Sequence, residues 1–183
     1  MKSVARGVLL CLAPCVAGTA PLAAQMGELQ LGGIVSYGAP RSFGEGAGLV
    51  AGIGLARLIY VGTRWVYQTG SRERPSDSQI DIATHTQRFT VDFGVMLPVG
   101  DLEIVPGVGL GALRFTQSGP IHDAELLIAP SVAVHVHLAG MVAIPEVEYL
   151  WANPPRLPWA VPHRGPVAAL RLVIPIELRR IRY

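Results

Sequence analysis

The sequence lacks several features that would assign a function directly. Aromatic residues make up 7% and charged residues 15%, and the only two cysteines are Cys11 and Cys15. Outside the first segment no run of eighteen apolar residues occurs, which argues against a transmembrane helix. No long segment has the 3.6-residue period of an amphipathic helix. Gly-x-Ser-x-Gly, phosphate-loop and Cys-x-x-Cys motifs are also missing, so no common catalytic motif points to an enzyme.

The first segment has the composition of a secretory signal peptide. Lys2 and Arg6 supply a basic start, and Gly7 to Val16 is apolar. Small residues then lead to Gln25, which predicts cleavage after Ala24. The predicted organisation is a signal peptide over 1–24 and one domain over 25–183.

Cleavage changes the chemistry of the remaining chain. Both cysteines leave with the signal, so no disulfide or thiol chemistry is expected in the mature domain. Loss of Lys2 and Arg6 leaves thirteen basic residues against thirteen acidic ones. The mature domain therefore carries no net charge that would favour nucleic acid as a partner.

Apolar residues alternate with polar residues or glycine through most of the mature chain. The pattern predicts eight strands, at 27–37, 46–56, 58–69, 81–97, 102–116, 124–138, 141–151 and from 167 onward. Four long polar connections, 38–45, 70–80, 117–123 and 152–166, alternate with three tight turns near Arg57, Gly100-Asp101 and Ala139-Gly140. This alternation of long and short connections predicts an all-β, eight-stranded antiparallel up-and-down transmembrane β-barrel in the bacterial outer membrane.

The apolar face of these strands carries aromatic residues where the long loops begin. Trp65, Tyr67, Tyr149 and Trp151 are predicted to lie outward and to form part of an aromatic girdle.

The opposite face carries ionisable residues. The residues predicted to point into the lumen are Arg64, Arg88, Asp92, Glu103, Glu125, His135, His137, Glu146, Glu148, Arg171 and Glu177. An eight-stranded barrel is just wide enough for side chains to fill it. Because buried charges need partners, we expect these residues to form an ionic network that fills the lumen.

His135 and His137 share one face of one strand. If Ala139-Gly140 closes a two-residue hairpin, His137 lies opposite Val142, and Glu146 is a diagonal neighbour of His135. Two imidazoles and a carboxylate are candidate ligands for a divalent metal. Two neutral histidines within the lumen network are the commoner arrangement, so neither a metal nor another cofactor is expected.

Taken together, the pattern resembles the OmpA-like family of eight-stranded outer-membrane barrels over the whole mature chain. Tyr183 is similar to the C-terminal aromatic residue that such proteins present to the barrel assembly machinery. The resemblance implies a structural or surface-interaction role, a monomer, and lipid and lipopolysaccharide as surroundings. Charged loop residues at 72–77 and 156–164, among them Arg72, Arg156 and Arg164, could meet lipopolysaccharide phosphates.

Enzymes also occur on this fold, notably lipid A deacylases and acyltransferases, and the deacylase type has a His-x-Ser pair with a later Glu. Here His137 stands two residues after His135, so the serine nucleophile is not in place. No catalytic residue is assigned, and the chain is not expected to be an enzyme.

Four prolines fall inside the predicted strands: Pro106, Pro130, Pro145 and Pro175. Proline removes a hydrogen-bond donor from the sheet, so these positions are expected to be bulges or misplaced strand boundaries. They also keep an alternative open. A soluble periplasmic β-barrel or sandwich would place the apolar faces inside and hold an apolar ligand there.

Overall fold

Antiparallel pairing joins the strands into one closed sheet. The computed structural model describes residues 27–40, 42–55, 58–73, 82–117 and 121–177. Its strands are β1 (Glu28–Gly38), β2 (Glu45–Leu55), β3 (Ile59–Glu73), β4 (Ile82–Val95), β5 (Leu97–Val99), β6 (Leu102–Gln117), β7 (Ile121–Leu138), β8 (Met141–Ala152) and β9 (Arg164–Glu177). None of the described residues forms a helix long and apolar enough to cross a membrane.

The sheet closes into an eight-stranded barrel. The strand order runs β4-β3-β2-β1-β9-β8-β7-β6-β5, and β4 also pairs with β6. Because β4 and β5 both pair with β6 and are separated only by Met96, they form one barrel strand in two parts. The predicted fold class, an eight-stranded antiparallel up-and-down barrel, is confirmed.

The short connections lie at one end of the barrel. Val99 pairs with Leu102 around Gly100, which has φ +63°. Leu138 pairs with Met141 around Gly140, which has φ +79°. Glycine suits both turns because other residues rarely adopt positive φ. Both predicted two-residue hairpins are confirmed.

The first tight turn follows β2. The amide of Leu58 donates a hydrogen bond to the Leu55 carbonyl, 3.1 Å away. Arg57, at the predicted turn, lies outside the described residues.

Several strands are longer than the sequence predicted. β3 continues to Glu73 with a shift in register between Thr69 and Arg72, although a loop was predicted from residue 70. β6 and β7 pair as far as Gln117 and Ile121, which leaves residues 118–120 as the third connection instead of 117–123. A strand crossing a membrane needs about 9–11 residues, so these extensions lie beyond the apolar band. The extensions are mostly polar, which is why their residues resemble loop in the sequence.

The bulge expectation for the prolines is wrong. Pro106 pairs with Val132, and Pro175 pairs with Gln30, in unbroken register. The pairing of β7 with β8 is interrupted near Pro130 and Pro145 and resumes in the same register. Each proline removes one backbone donor while the pairs on either side hold the strand in place.

The interior contains two apolar clusters. One lies toward the short turns and includes Ile34, Tyr60, Met96, Val105, Val142 and Val173. The other lies toward the long loops and includes Phe43, Leu113, Phe115, Leu127, Leu150 and Val167. Buried charged side chains occupy the middle, so the lumen is packed in layers.

Some sequence predictions fall outside the described residues. They are the signal peptide over 1–24, most of the second loop with Arg74 and Asp77, and the C-terminal Tyr183. These stay predictions.

Candidate functional site

Arg64 is the centre of the charged layer in the lumen. It lies on β3, and its side chain is 2% exposed. Its Nε donates to Asp92 Oδ2 at 2.6 Å, and its Nη1 and Nη2 donate to Glu146 Oε2 and Oε1 at 3.1 and 3.0 Å. Nη1 also reaches Glu148 Oε2 at 3.1 Å. One guanidinium thus joins carboxylates from β4 and β8 across the barrel.

Two further arginines complete the layer. Arg88 Nη2 lies 2.5 Å from Glu148 Oε1, and Arg171 Nη2 lies 3.2 Å from Glu146 Oε2. Arg171 also donates to the Tyr60 hydroxyl at 3.2 Å. Each of the two glutamates therefore binds two arginines.

The charges of this layer balance. The buried ionic side chains are the arginines Arg64, Arg88 and Arg171 and the carboxylates Asp92, Glu146 and Glu148. An unpaired charge buried in a protein costs several kcal/mol, so equal numbers in mutual contact are what a closed lumen requires. The layer ties β3, β4, β8 and β9 together and occupies the space that a channel would need.

The other residues predicted to face the lumen lie nearer its ends. Glu103 is one-third exposed and His137 half exposed, both close to the short turns. Glu125 is half-buried near the start of β7. Glu177 ends β9, and its side chain lies outside the described part of the structure.

The predicted metal set of His135, His137 and Glu146 is not assembled, because arginines occupy the Glu146 carboxylate. His135 is 1% exposed, and its ring meets Tyr60 edge-on with centroids 6.0 Å apart. Glu146 is instead held by Arg64 and Arg171. In the described residues no three His, Cys, Asp or Glu side chains are arranged to hold a metal ion.

The predicted girdle residues all lie on outward positions. Tyr149 and Trp151 are exposed at the outer end of β8. Tyr67 is half-buried and stacks on His85, with ring centroids 5.8 Å apart. Because β3 continues to Glu73, Trp65 lies near the middle of its strand instead of at the loop end.

The loops close the outer end of the barrel, a feature that the sequence did not predict. Phe43 from the first loop is completely buried among Leu113, Phe115 and Leu127. Leu157 and Val161 from the fourth loop pack against the same cluster. The signal in the sequence is the apolar run from Leu157 to Val161 within a proline-rich loop.

Hydrogen bonds hold the fourth loop over this end. Gln117 Nε2 donates to the Trp159 carbonyl at 2.9 Å. The Arg156 amide donates to Asp123 Oδ2 at 2.5 Å, and the Ser42 hydroxyl donates to the Pro162 carbonyl. The loop is thus fixed to β6, to β7 and to the first loop.

The outer surface of the barrel is apolar on all sides. Large exposed hydrophobic residues occur on every long strand, for example Val35, Leu49, Phe89, Leu110, Leu126, Val147 and Ile174. A groove of about 420 Å³ also lies on this outer face, lined by Leu31, Leu49, Trp65 and Phe89 among others. Soluble monomers rarely expose a continuous apolar surface of this extent.

This protein has a charged interior and an apolar outer surface, which is the arrangement of a membrane-spanning β-barrel. The class that the fold and lumen define is therefore the small transmembrane barrel of the bacterial outer membrane. The alternative of a soluble barrel is not favoured, because it requires the opposite polarity and an apolar interior able to hold a ligand.

Comparisons with solved structures agree on the fold. Neisserial surface protein A superposes with a TM-score of 0.58 at 9% identity, covering 83% of this chain and 97% of that chain. A major outer membrane protein from Thermus thermophilus gives 0.59 at 8% identity, covering 83% and 99%. The predicted resemblance to small outer-membrane barrels is confirmed at the level of fold.

A third structure adds a ligand to the comparison. Ail, the attachment invasion locus protein of Yersinia pestis, was solved in complex with the heparin analogue sucrose octasulfate. It superposes with a TM-score of 0.50 at 11% identity, covering 84% of this chain and 98% of that chain. No protein-family model and no characterised protein matches the sequence itself.

Proposed function

We propose that this protein is a monomeric, non-conducting outer-membrane barrel that acts at the cell surface by binding polyanions. The observation that carries the proposal is the closed interior. Arg64 joins carboxylates across the lumen, and Phe43 with the fourth loop seals the outer end. Because the interior is filled, interaction with other molecules falls to the outer end.

Exposed arginines at that end favour anionic groups. Arg114 on β6 pairs with Ala124 on β7. The residue before Ala124 is Asp123, whose carboxylate accepts a hydrogen bond from the Arg156 amide. Arg164 lies over the Trp151 ring at 5.1 Å. Within the described part of the chain, none of these three guanidinium groups pairs with a carboxylate.

The shared chemistry of the proposed ligands is a cluster of phosphate or sulfate groups. Arginine binds such oxyanions with paired hydrogen bonds. Lipid A phosphates would reach the arginines from the membrane, and sulfated glycans would reach them from outside. The complex of Ail with sucrose octasulfate supports the second source for a barrel of this fold.

A first experiment tests the class of protein. We expect the protein in the outer-membrane fraction, with gel mobility that differs between boiled and unboiled samples. In planar bilayers we expect no conductance steps, because aqueous channels need many more strands. Recovery in the soluble periplasm or a steady conductance would contradict the proposal.

A second experiment tests the ligand. The folded barrel in detergent is titrated with sucrose octasulfate, and in parallel with vesicles with and without lipid A. Replacing Arg114, Arg156 and Arg164 together by Gln is expected to weaken binding at least about tenfold. Asp101→Asn, at an exposed position in the short turn at the opposite end of the barrel, is the control. Equal binding by all three proteins would rule out this surface. The titration with sucrose octasulfate measures binding of sulfated glycans, and the titration with vesicles measures binding of lipid A.

The proposal also includes the absence of catalysis. His135 and His137 are followed by no serine in the position that lipid A deacylases use. Lipid A profiles of cells with and without the protein are expected to be identical. A changed acylation pattern would instead assign an enzyme activity.

The C-terminal strand is expected to engage the barrel assembly machinery, so truncation before Tyr183 should reduce outer-membrane levels.

A further inference from the structure

Three ionisable side chains meet at the short-turn end of the lumen, away from the charged layer. Glu103 on β6 is the direct cross-strand partner of His135 on β7. His137 follows two residues later on the same face. The three lie within a few residues of the turns at Gly100 and Gly140, where the barrel opens to the periplasm.

The distances between their donor atoms are those of a metal site. Glu103 Oε2 lies 3.4 Å from His135 Nδ1 and 3.8 Å from His137 Nε2. Two ligands of a tetrahedral metal, each with a bond of about 2.0–2.1 Å, lie about 3.4 Å apart. The first pair already has this spacing, and the second exceeds it by a few tenths of an ångström.

His135 supplies a second, independent observation. Its side chain is 1% exposed, yet neither ring nitrogen makes a hydrogen bond. A buried polar group without a partner is unusual in folded proteins. The ring packs edge-on against Tyr60, whose hydroxyl accepts a hydrogen bond from Arg171, and its Nδ1 lies on the side of Glu103.

We propose that His135, His137 and Glu103 bind a divalent transition-metal ion of the Zn²⁺ or Cu²⁺ class at the periplasmic mouth. Imidazole and carboxylate ligands suit these ions. The described residues hold no ready-made set of three ligands, so the site is completed when the half-exposed His137 ring turns toward Glu103. Water fills the remaining position, since His137 and Glu103 are open to solvent.

The carboxylate is Glu103, and Glu146 is excluded because two arginines occupy its oxygens. The metal would fasten β6 to β7 beside their periplasmic turns. This inference does not depend on the polyanion surface, which lies at the opposite end of the barrel.

The test uses the untagged, folded protein in detergent. One equivalent of Cu²⁺ is added and the electron paramagnetic resonance spectrum is recorded, and Zn²⁺ is then titrated as a competitor. We expect one site per barrel with nitrogen splitting from two imidazoles. His137→Gln and Glu103→Gln, both at solvent-accessible positions, should each weaken binding about tenfold or more. His85→Gln, on the outer face of β4, is the control and should bind as the parent does.

A measurement on the unaltered protein makes the test independent of how the variants fold. Diethyl pyrocarbonate modification of His137, mapped by mass spectrometry, should slow when Zn²⁺ is present, while His85 reacts at the same rate. Equal affinity of the parent and His137→Gln would overturn the proposal. So would unchanged reactivity of His137 with Zn²⁺, or loss of the nitrogen signal in His85→Gln.

Discussion

Arg64 and Glu146 form a two-point ion pair across the inside of the barrel. Nη1 lies 3.1 Å from Oε2 and Nη2 lies 3.0 Å from Oε1, and the two residues are 82 positions apart in the sequence. Both side chains are at least 98% buried. Because β3 and β8 are not neighbours in the sheet, this contact braces the barrel across its width.

Removing the central cation should destabilise the barrel strongly. In Arg64→Gln, Asp92 loses its arginine, while Glu146 and Glu148 keep only Arg171 and Arg88. Breaking a buried pair from one side costs about 3–5 kcal/mol. Urea unfolding in detergent, followed by the gel mobility shift, measures this loss.

A second substitution sharpens the test of the ion pair. Arg64→Gln combined with Asp92→Asn should recover part of the lost stability, because the orphaned charge is removed. Arg114→Gln, an exposed arginine, serves as the control with a change within about 0.5 kcal/mol. A double variant no more stable than Arg64→Gln would count against the charge-balance account.

Glycine on the inner face allows neighbouring strands to approach closely. A Cβ at Gly48 would lie 1.9 Å from the Trp65 carbonyl oxygen and 2.8 Å from the Val66 Cα. Backbone atoms cannot yield easily, so Gly48→Ala should cost at least about 1–3 kcal/mol and lower the folded fraction. Gly33→Ala, whose Cβ meets only the Gly48 carbonyl at 3.8 Å, should fold normally. Equal refolding yields would contradict this reading of the close approach.

Phe43 should determine whether the outer end stays closed. It is completely buried, so Phe43→Ala removes a large apolar side chain from the upper cluster and costs about 3–5 kcal/mol. We expect the fourth loop to loosen and trypsin to cleave after Arg156 faster than in the parent. Trp159 is on the same loop, and its side chain is 38% exposed. Trypsin should therefore cleave the Trp159→Ala variant at the parental rate. Identical cleavage of all three would show that Phe43 does not anchor the loop.

The three tryptophans report the depth of the barrel in a bilayer. Trp65 lies outward near the middle of β3, Trp151 at the outer end of β8, and Trp159 on the fourth loop. In single-tryptophan variants, lipids brominated deep in the acyl chain should quench Trp65 most. Shallow bromines should quench Trp151 most, and Trp159 should respond least to either. Equal quenching at the three positions would be incompatible with the membrane orientation described above.

Much of this architecture follows from a pattern of period two. Successive side chains of a strand point to opposite faces, so the alternation alone assigns Arg64, Arg88 and Glu148 to the lumen and Phe89 to the outside. Gly100 and Gly140 mark two turns because positive φ restricts the residue type. The expectation of bulges at the prolines is wrong because the loss of one backbone hydrogen-bond donor does not displace a strand whose neighbouring residues stay paired.

Which residues face lipid and which face the lumen can be predicted from the sequence, since it depends only on whether a position is odd or even along each strand. Which side chains contact one another across the lumen depends on the three-dimensional fold. The fold brings Arg64 to Asp92, Glu146 and Glu148. It also places Glu103 beside His135 and buries Phe43 under the fourth loop. The reason is physical: barrel closure and strand stagger set the heights at which distant strands meet, and neither is encoded in any local stretch of sequence.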